Sequence, residues 1–381
     1  MKKTKFLLAC LSVAAVASTL GVASCGPKTQ VDVALITDVG NVDDHSFNQS
    51  SYEGMVEFAE EAGLKHAYYR PANDTNDDRV AMIEKAIKDG ADVLVLPGYL
   101  FEQAVYETQE KYPDVKFLLL DGEPHDASYA NYKTTENTTN VLYKEDEVGY
   151  LAGYAAVMEG YKNIGFMGGM AVPAVIRYGH GYVAGANDAA KVLYEADSSY
   201  TLSVKYGYTG GFVANDTVYS NANSWYSSGV ETIFACGGKL YQSVTKALDS
   251  NANATMIGVD TDQTYDHSRI ITSAMKELHH TVYTTLKEFY DAAPEANGVK
   301  DLAAAKWDSS YAGKTRKLGA AEDMVGLAHG TSWKLKNYKE SDYLALFAKV
   351  KAGEVKINVS SDEKEHPTVE SYVTVDYNAY K

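Results

Sequence analysis

Residues 31–63 read VDVALITDVGNVDDHSFNQSSYEGMVEFAEEAG. The run Val31–Thr37 is apolar without a helical period and is closed by Asp38. After a polar turn, Ser46–Ala62 carries apolar residues at helical spacing until Gly63 stops it. Ser46-Phe47-Asn48-Gln49 has capping-box spacing, in which the Ser and Gln side chains each satisfy a free backbone N–H at the helix start. Strand, turn and helix in this order make half of a βαβ unit. A nearly unbroken apolar strand belongs in a parallel sheet covered on both faces.

The rhythm continues outward from this stretch. His66–Arg70, Asp92–Leu96 and Val115–Leu120 read as strands, with helices at Asp77–Asp89 and Phe101–Lys111 between them. It then restarts with helix Asp146–Glu159, strand Asn163–Met167, helix Tyr182–Ala196 and strand Leu202–Tyr208. Helix Asp216–Ser228, strand Glu231–Ala235, helix Leu240–Asp249 and strand Thr255–Val259 complete this second array. A further strand, Ile270–Met275, and a helix, Glu277–Ala293, precede a more polar tail with strand-like stretches near Met324–Ala328 and Ser371–Val375. The expected fold is α/β, with two doubly wound Rossmann-like lobes. A chain of 381 residues with 45% apolar side chains has material for two such cores.

The charge balance narrows the partners. Lys and Arg total 35 against 51 Asp and Glu, a net charge of −16, so nucleic acid is a poor partner for this surface. Lys2, Lys3 and Lys5 precede an apolar run, Phe6–Ala23, which reads as a signal peptide over 1–24. Val22-Ala23-Ser24-Cys25 resembles the bacterial lipobox, so Cys25 is the expected lipidation site, with a short tether over 25–30. Acyl chains there would hold the protein on the extracytoplasmic face of the cell membrane. Cys10 leaves with the leader, and Cys236 is then an unpaired core residue in an apolar run. The 30 Tyr residues are expected mainly on surfaces.

Three aspartates close apolar strands: Asp38 after Leu35-Ile36-Thr37, Asp121 after Leu118-Leu119-Leu120, and Asp260 after Ile257-Gly258-Val259. Glycines close others, at Gly98, Gly168-Gly169 and Gly237-Gly238. In open parallel sheets ligands bind beyond the carboxyl ends of the strands, so these residues from both arrays point toward a shared crevice.

Ile36-Thr37-Asp38-Val39-Gly40 through Asp43-Asp44-His45-Ser46-Phe47-Asn48-Gln49 resembles the signature of the basic membrane protein family. The resemblance continues through Tyr150–Ala156, Ile164–Gly169, Ile257–Gln263 and Thr272–Lys276. These proteins are lipoprotein substrate-binding components of ABC importers, and the family includes a purine nucleoside receptor. The resemblance implies a type I periplasmic-binding-protein fold, with lobes joined by crossover strands that act as a hinge. Lobe 1 is expected over 31–140 plus about 262–297, and lobe 2 over 141–261 plus about 298–381. It further implies that Phe47 and an aromatic of the second lobe sandwich a purine base, with Asn48 among the ligand contacts. Asp38 and Asp121 would meet the polar edge of the base, Asp260 and Lys276 would hold the ribose, and Gly237 would let backbone approach the sugar. The family places a Phe directly before Asn-Asp, whereas Val213 and Ala214 separate Phe212 from Asn215-Asp216. A shifted loop brings Tyr208, Phe212 or Trp225 into that position, with Phe212 taken first.

The implied protein is not an enzyme and needs no cofactor; its partners are a nucleoside, ABC permease subunits and, through its anchor, a membrane. A sugar or another small metabolite is the alternative ligand, and a surface sensor the alternative role. The Asp-rich first turn also looks like the calcium site of nucleoside hydrolases. There, however, Ile36 replaces the first aspartate and the later pair falls one residue too far along, which calcium, needing about six to eight oxygen ligands, tolerates poorly. Gly179-x-Gly181-x-x-Ala184 fits a loose dinucleotide fingerprint but follows no clear strand, so close helix packing is the better reading.

Overall fold

The computed structural model describes residues 31–38 and 40–381; the leader and the lipidation site Cys25 lie outside the described residues. The first array is β1 (Val33–Ile36), α1 (Phe47–Ala62), β2 (His66–Tyr69), α2 (Asn76–Asp89), β3 (Val93–Pro97), α3 (Glu102–Thr108), β4 (Lys116–Leu120) and β5 (Thr138–Tyr143). The second is α4 (Glu145–Met158), β6 (Asn163–Gly168), α5 (Pro173–Ala196), β7 (Leu202–Tyr208), α6 (Asp216–Ser227), β8 (Thr232–Cys236), α7 (Leu240–Asp249), β9 (Thr255–Asp260) and β10 (Ile270–Lys276). Then come α8 (Leu278–Asp291), a short antiparallel pair β11 (Glu295–Ala296) and β12 (Val299–Lys300), β13 (Thr315–Leu318), β14 (Val325–Leu327), α9 (Glu340–Lys351) and β15 (Val373–Asp376).

Apart from the β11-β12 pair, the strands form two sheets, ordered β13-β5-β4-β3-β1-β2 and β14-β10-β9-β8-β6-β7-β15. The first is parallel throughout and the second is parallel except for β14, which runs against β10. Their central strands repeat one order, 2-1-3-4-5 and 7-6-8-9-10, so each lobe has a switch point between its first and third strands. The expected double winding holds because β1, β3, β4 and β8 are buried along their whole length, as strands covered on both faces must be.

Three expected boundaries are corrected. β10 falls within 262–297, expected in lobe 1, yet it pairs with β9 in the second sheet; α8 alone of this stretch packs on α1. β13 lies in the tail assigned to lobe 2, yet it extends the first sheet beside β5. β5 itself runs past residue 140. The chain therefore passes between lobes at Lys144, at Glu277 and between Leu318 and Val325. These passages are tied together: Lys144 N–H donates to Leu318 O (2.9 Å), Glu277 N–H to Met324 O (3.0 Å) and Ala320 N–H to Glu147 Oε2 (2.6 Å).

Local chemistry explains several helix ends. Thr75 Oγ1 accepts from Asp78 N–H at the start of α2, and Asn215 Oδ1 accepts from Val218 N–H at the start of α6. Gly63, at φ 67°, and Gly90, at φ 115°, end α1 and α2 in the left-handed conformation. The expected capping box at Ser46 does not form. Asp44 caps α1 instead, accepting from the N–H groups of Ser46 (2.9 Å), Asn48 (3.1 Å) and Gln49 (3.0 Å).

Helix α5 begins nine residues before its expected start, at Pro173, and packs closely against α4. The glycines make that approach possible. A Cβ on Gly149, Gly153, Gly181 or Gly185 would overlap a backbone carbonyl of the facing helix (Tyr178, Tyr182, Asp146 and Tyr150 respectively). Not every tyrosine takes the expected surface role: Tyr178, Tyr182, Tyr206 and Tyr343 are fully buried. Tyr206 and Tyr208 bond each other through their hydroxyls (2.7 Å) and Tyr343 Oη accepts from Leu327 N–H (2.8 Å), whereas Tyr182 Oη is buried without a hydrogen-bond partner among the described residues.

The tail is pinned by one carboxylate. Glu159, buried at the end of α4, accepts from the N–H groups of Lys336, Asn337 and Tyr338 at 2.8–3.0 Å. Glu159→Ala strands three donors, so a loss of about 2–4 kcal/mol is expected in urea unfolding. A loss below about 0.5 kcal/mol, the range of an ordinary surface change, would refute this.

Candidate functional site

The two lobes face each other across a cavity of about 260 Å³. Its walls are the carboxyl ends of the strands. Gly98 follows β3 at φ 114°, Asp121 follows β4 at φ 56°, Gly237 follows β8 at φ 140°, and Asp260 ends β9 at φ 63°. Each chain turns sharply into the cleft through the left-handed region, which glycine enters freely and aspartate tolerates better than most residues. Two of these turns thus place a carboxylate at the site.

All eight residues expected to bind ligand line this one cavity: Asp38, Phe47, Asn48, Asp121, Phe212, Gly237, Asp260 and Lys276. Of the three candidate second-lobe aromatics, Phe212 is the one in the cleft. Trp225 is buried in the core, with its indole donating to Ala379 O (3.2 Å), and Tyr208 is engaged with Tyr206. Gly237 also makes room for an aromatic ring. The space above it is taken by the Phe212 ring, 2.7 Å from where a Cβ would lie, so the glycine seats the aromatic.

The centre of the site is an ion cluster. The Lys276 ammonium, 2% exposed, is paired with Asp121 across the cleft and with Glu145 Oε1 (2.9 Å) within its own lobe. Glu145 Oε2 accepts from Arg177 Nε at 2.6 Å. The same ammonium lies 5.2 Å from the Phe47 ring centre and 5.5 Å from that of Tyr178. Burial alone would lower the Lys276 pKa, but Asp121, Glu145 and Asp260 outweigh it and hold the ammonium charged. Burial would raise Glu145, and Lys276 with Arg177 reverses that. Asp121 and Asp260 are both raised by burial, because one shared lysine does not neutralise three acids. Asp121 Oδ1 is buried with no protein partner, leaving an acceptor available to a ligand.

Asp38 sits beside this cluster. Its Oδ1 accepts from Gly40 N–H (2.7 Å) and Asn48 Nδ2 (2.9 Å), while burial raises its pKa to about 6. A carboxyl whose folded pKa exceeds its unfolded value favours the folded state below the unfolded pKa, and that benefit is lost as pH rises through about 6. Asp38→Asn is therefore expected to raise stability at pH 8, by on the order of 2 kcal/mol, with the gain shrinking toward pH 4. Thermal melts of both proteins across that range check it, and an equal difference at both ends would refute it.

The lobes also touch along one rim. Ser46, released from capping, donates through Oγ to Asp260 Oδ2 (2.7 Å). Lys239 pairs with Asp43 (2.8 Å) and His45 Nδ1 with Asp266 (2.9 Å). Thr261 Oγ1 and Gln263 Nε2 both donate to His45 O, at 2.9 and 3.1 Å. The loop ahead of α1 thus clasps the opposite lobe, and this arrangement is closed.

Glu145, Arg177, Tyr178 and Ser46 are the participants sequence reading missed. Glu145 follows β5, whose Thr138-Thr139-Asn140 start hides it as a strand, so its strand-end acid drew no notice. Arg177 and Tyr178 lie in the unrecognised first half of α5.

Comparison with known proteins agrees with this architecture. The family described as ABC transporter substrate-binding protein PnrA-like (Bmp) matches residues 31–301. The ABC transporter nucleoside-binding protein BmpA of Lactococcus lactis subsp. cremoris is 28% identical over 334 residues, covering 83% of this chain and 88% of that protein. An uncharacterized lipoprotein of Pyrococcus horikoshii is 26% identical over 349 residues, 85% of this chain and 83% of its own length. Among solved structures, an ABC transporter solute-binding protein of Aeropyrum pernix K1 superposes with a TM-score of 0.69 at 21% identity, covering 87% of this chain and 94% of that one.

Proposed function

Because this chain belongs to the Bmp family of PnrA-like ABC transporter substrate-binding proteins, we propose that it captures purine nucleosides in the interlobe cleft and delivers them to a permease. The observation that carries this reading is the pairing of two aromatic rings from opposite lobes, Phe47 and Phe212, with acids and the buried Lys276 in a single cavity. A purine stacks between such rings, each contact contributing about 1–3 kcal/mol. Asp38, Asn48 and Asp121 meet the base edge, where ring and exocyclic N–H groups need acceptors. Asp260 accepts from the ribose hydroxyls and Lys276 donates to sugar oxygens. Surplus negative charge in the cleft favours an uncharged nucleoside over a nucleotide.

The ligand bridges both lobes, so it stabilises the closed state, and the closed state is what the permease meets. The role is binding rather than turnover. Lipidation at Cys25 keeps the protein at the membrane face; the lipobox-like sequence and relatives named as lipoproteins support that reading.

Calorimetric titration with adenosine, guanosine, inosine, ribose and glucose tests the ligand class. Saturable binding of at least one purine nucleoside, with no heat from either sugar, is expected. Binding of a sugar without any nucleoside would replace this reading with the sugar-receptor one.

A further inference from the structure

Behind the cleft lies a buried couple that no ligand contact explains. Neither Glu145 nor Arg177 lines the cavity, yet Glu145 is fully buried and bridges Lys276 Nζ (2.9 Å) and Arg177 Nε (2.6 Å). We propose that Glu145 and Arg177 are positioning residues that hold the Lys276 ammonium where it reaches the sugar of a bound nucleoside. This rests on the nucleoside reading above.

The argument is one of competing partners. Lys276 (β10), Glu145 (α4) and Arg177 (α5) all belong to the second lobe, whereas Asp121 follows β4 in the first. A lysine is a point charge on a flexible stem, and its place is set by the anions around it. Without Glu145, its one remaining ion-pair partner is Asp121, which draws the ammonium across the cleft toward the base edge and away from Asp260. Arg177 completes the device by charge. With one acid between two cations, Glu145 shares its attraction, so Lys276 is steadied without being withdrawn from the cleft.

The couple also sits where the lobes join. Glu145 follows the passage at Lys144, and Lys276 precedes the passage at Glu277. Points beside a pivot move least when lobes rotate, so the Lys276–Glu145 pair persists on opening while the Lys276–Asp121 pair is broken. Lys276 is thereby kept ready for the next ligand.

The test is titration of the full-length protein and its Glu145→Gln variant with inosine and with 2′,3′-dideoxyinosine, which lacks both ribose hydroxyls. Glu145→Gln is expected to weaken inosine binding about tenfold and dideoxyinosine binding less than about threefold, the same pattern expected of Lys276→Met. Equal losses for both ligands would mean a merely structural role and overturn the inference; so would unchanged affinities. Where Glu145→Gln does not fold, Arg177→Met is judged by the same two criteria. Wild-type protein that binds neither nucleoside overturns the nucleoside reading itself, and this inference with it.

Discussion

Asp260→Asn is expected to weaken nucleoside binding by about ten- to a hundredfold, with the fold unchanged. A carboxylate accepting from hydroxyls contributes on the order of 1.5–3 kcal/mol per bond, and the amide keeps only part of that. Asparagine is the informative substitution because Asp260 sits at φ 63°. Alanine there would add roughly 1–2 kcal/mol of left-handed strain and blur a binding loss with a folding one. Asp121→Asn, at φ 56°, is expected to behave similarly, since its unpaired Oδ1 is the free acceptor in the cleft. Calorimetry paired with thermal melts separates the two effects. Wild-type affinity in both variants would remove these acids from the site.

The second large effect is on stability. Gly153→Val is expected to cost about 4 kcal/mol or more, or to prevent folding, because even its Cβ collides with the Tyr182 carbonyl. Backbone cannot yield as a flexible side chain would, and the facing Gly185 meets the Tyr150 carbonyl in the same manner. Separating α4 from α5 would open the densest helix contact of the second lobe. Gly211→Ala is the control. A Cβ there meets nothing within 4 Å, and a change below about 0.5 kcal/mol is expected. Urea unfolding compares the two, and a Gly153→Val protein as stable as the control would mean the helices can pack further apart.

How much of this was legible in the sequence varies by element, for physical reasons. Apolar runs such as Val93–Pro97 and Lys116–Leu120 betray buried parallel strands, and the acids and glycines at their ends betray the cleft. β5 was invisible because its first half is Thr138-Thr139-Asn140, polar but fully buried. The Asn140 amide nitrogen donates there to the hydroxyls of Thr134 and Thr315, partners that only the folded chain supplies. Gly179 and Gly181 were read as close-packing positions, which Gly181 is against Asp146, but the helix that carries them was started only at Tyr182. Phe212 was reachable only as one of three candidates, since the choice depends on a loop whose course no periodicity encodes. The Ser46 motif misled for another reason: Asp44 is the stronger acceptor for the helix N-terminus, which frees the hydroxyl to cross the cleft.

The interleaved sheets bear on how the molecule is made. The first sheet has five strands by residue 143, but its outer neighbour for β5 arrives only with Thr315–Leu318, after five of the second sheet's seven strands. During vectorial synthesis the β5 edge therefore stays unpaired while some 170 residues are added, and an open strand edge is a template for wrong pairing. Neither half can be finished early, and no single cut yields an intact lobe. Maturation is a late, joint event in which the last third of the polypeptide seals both sheets together.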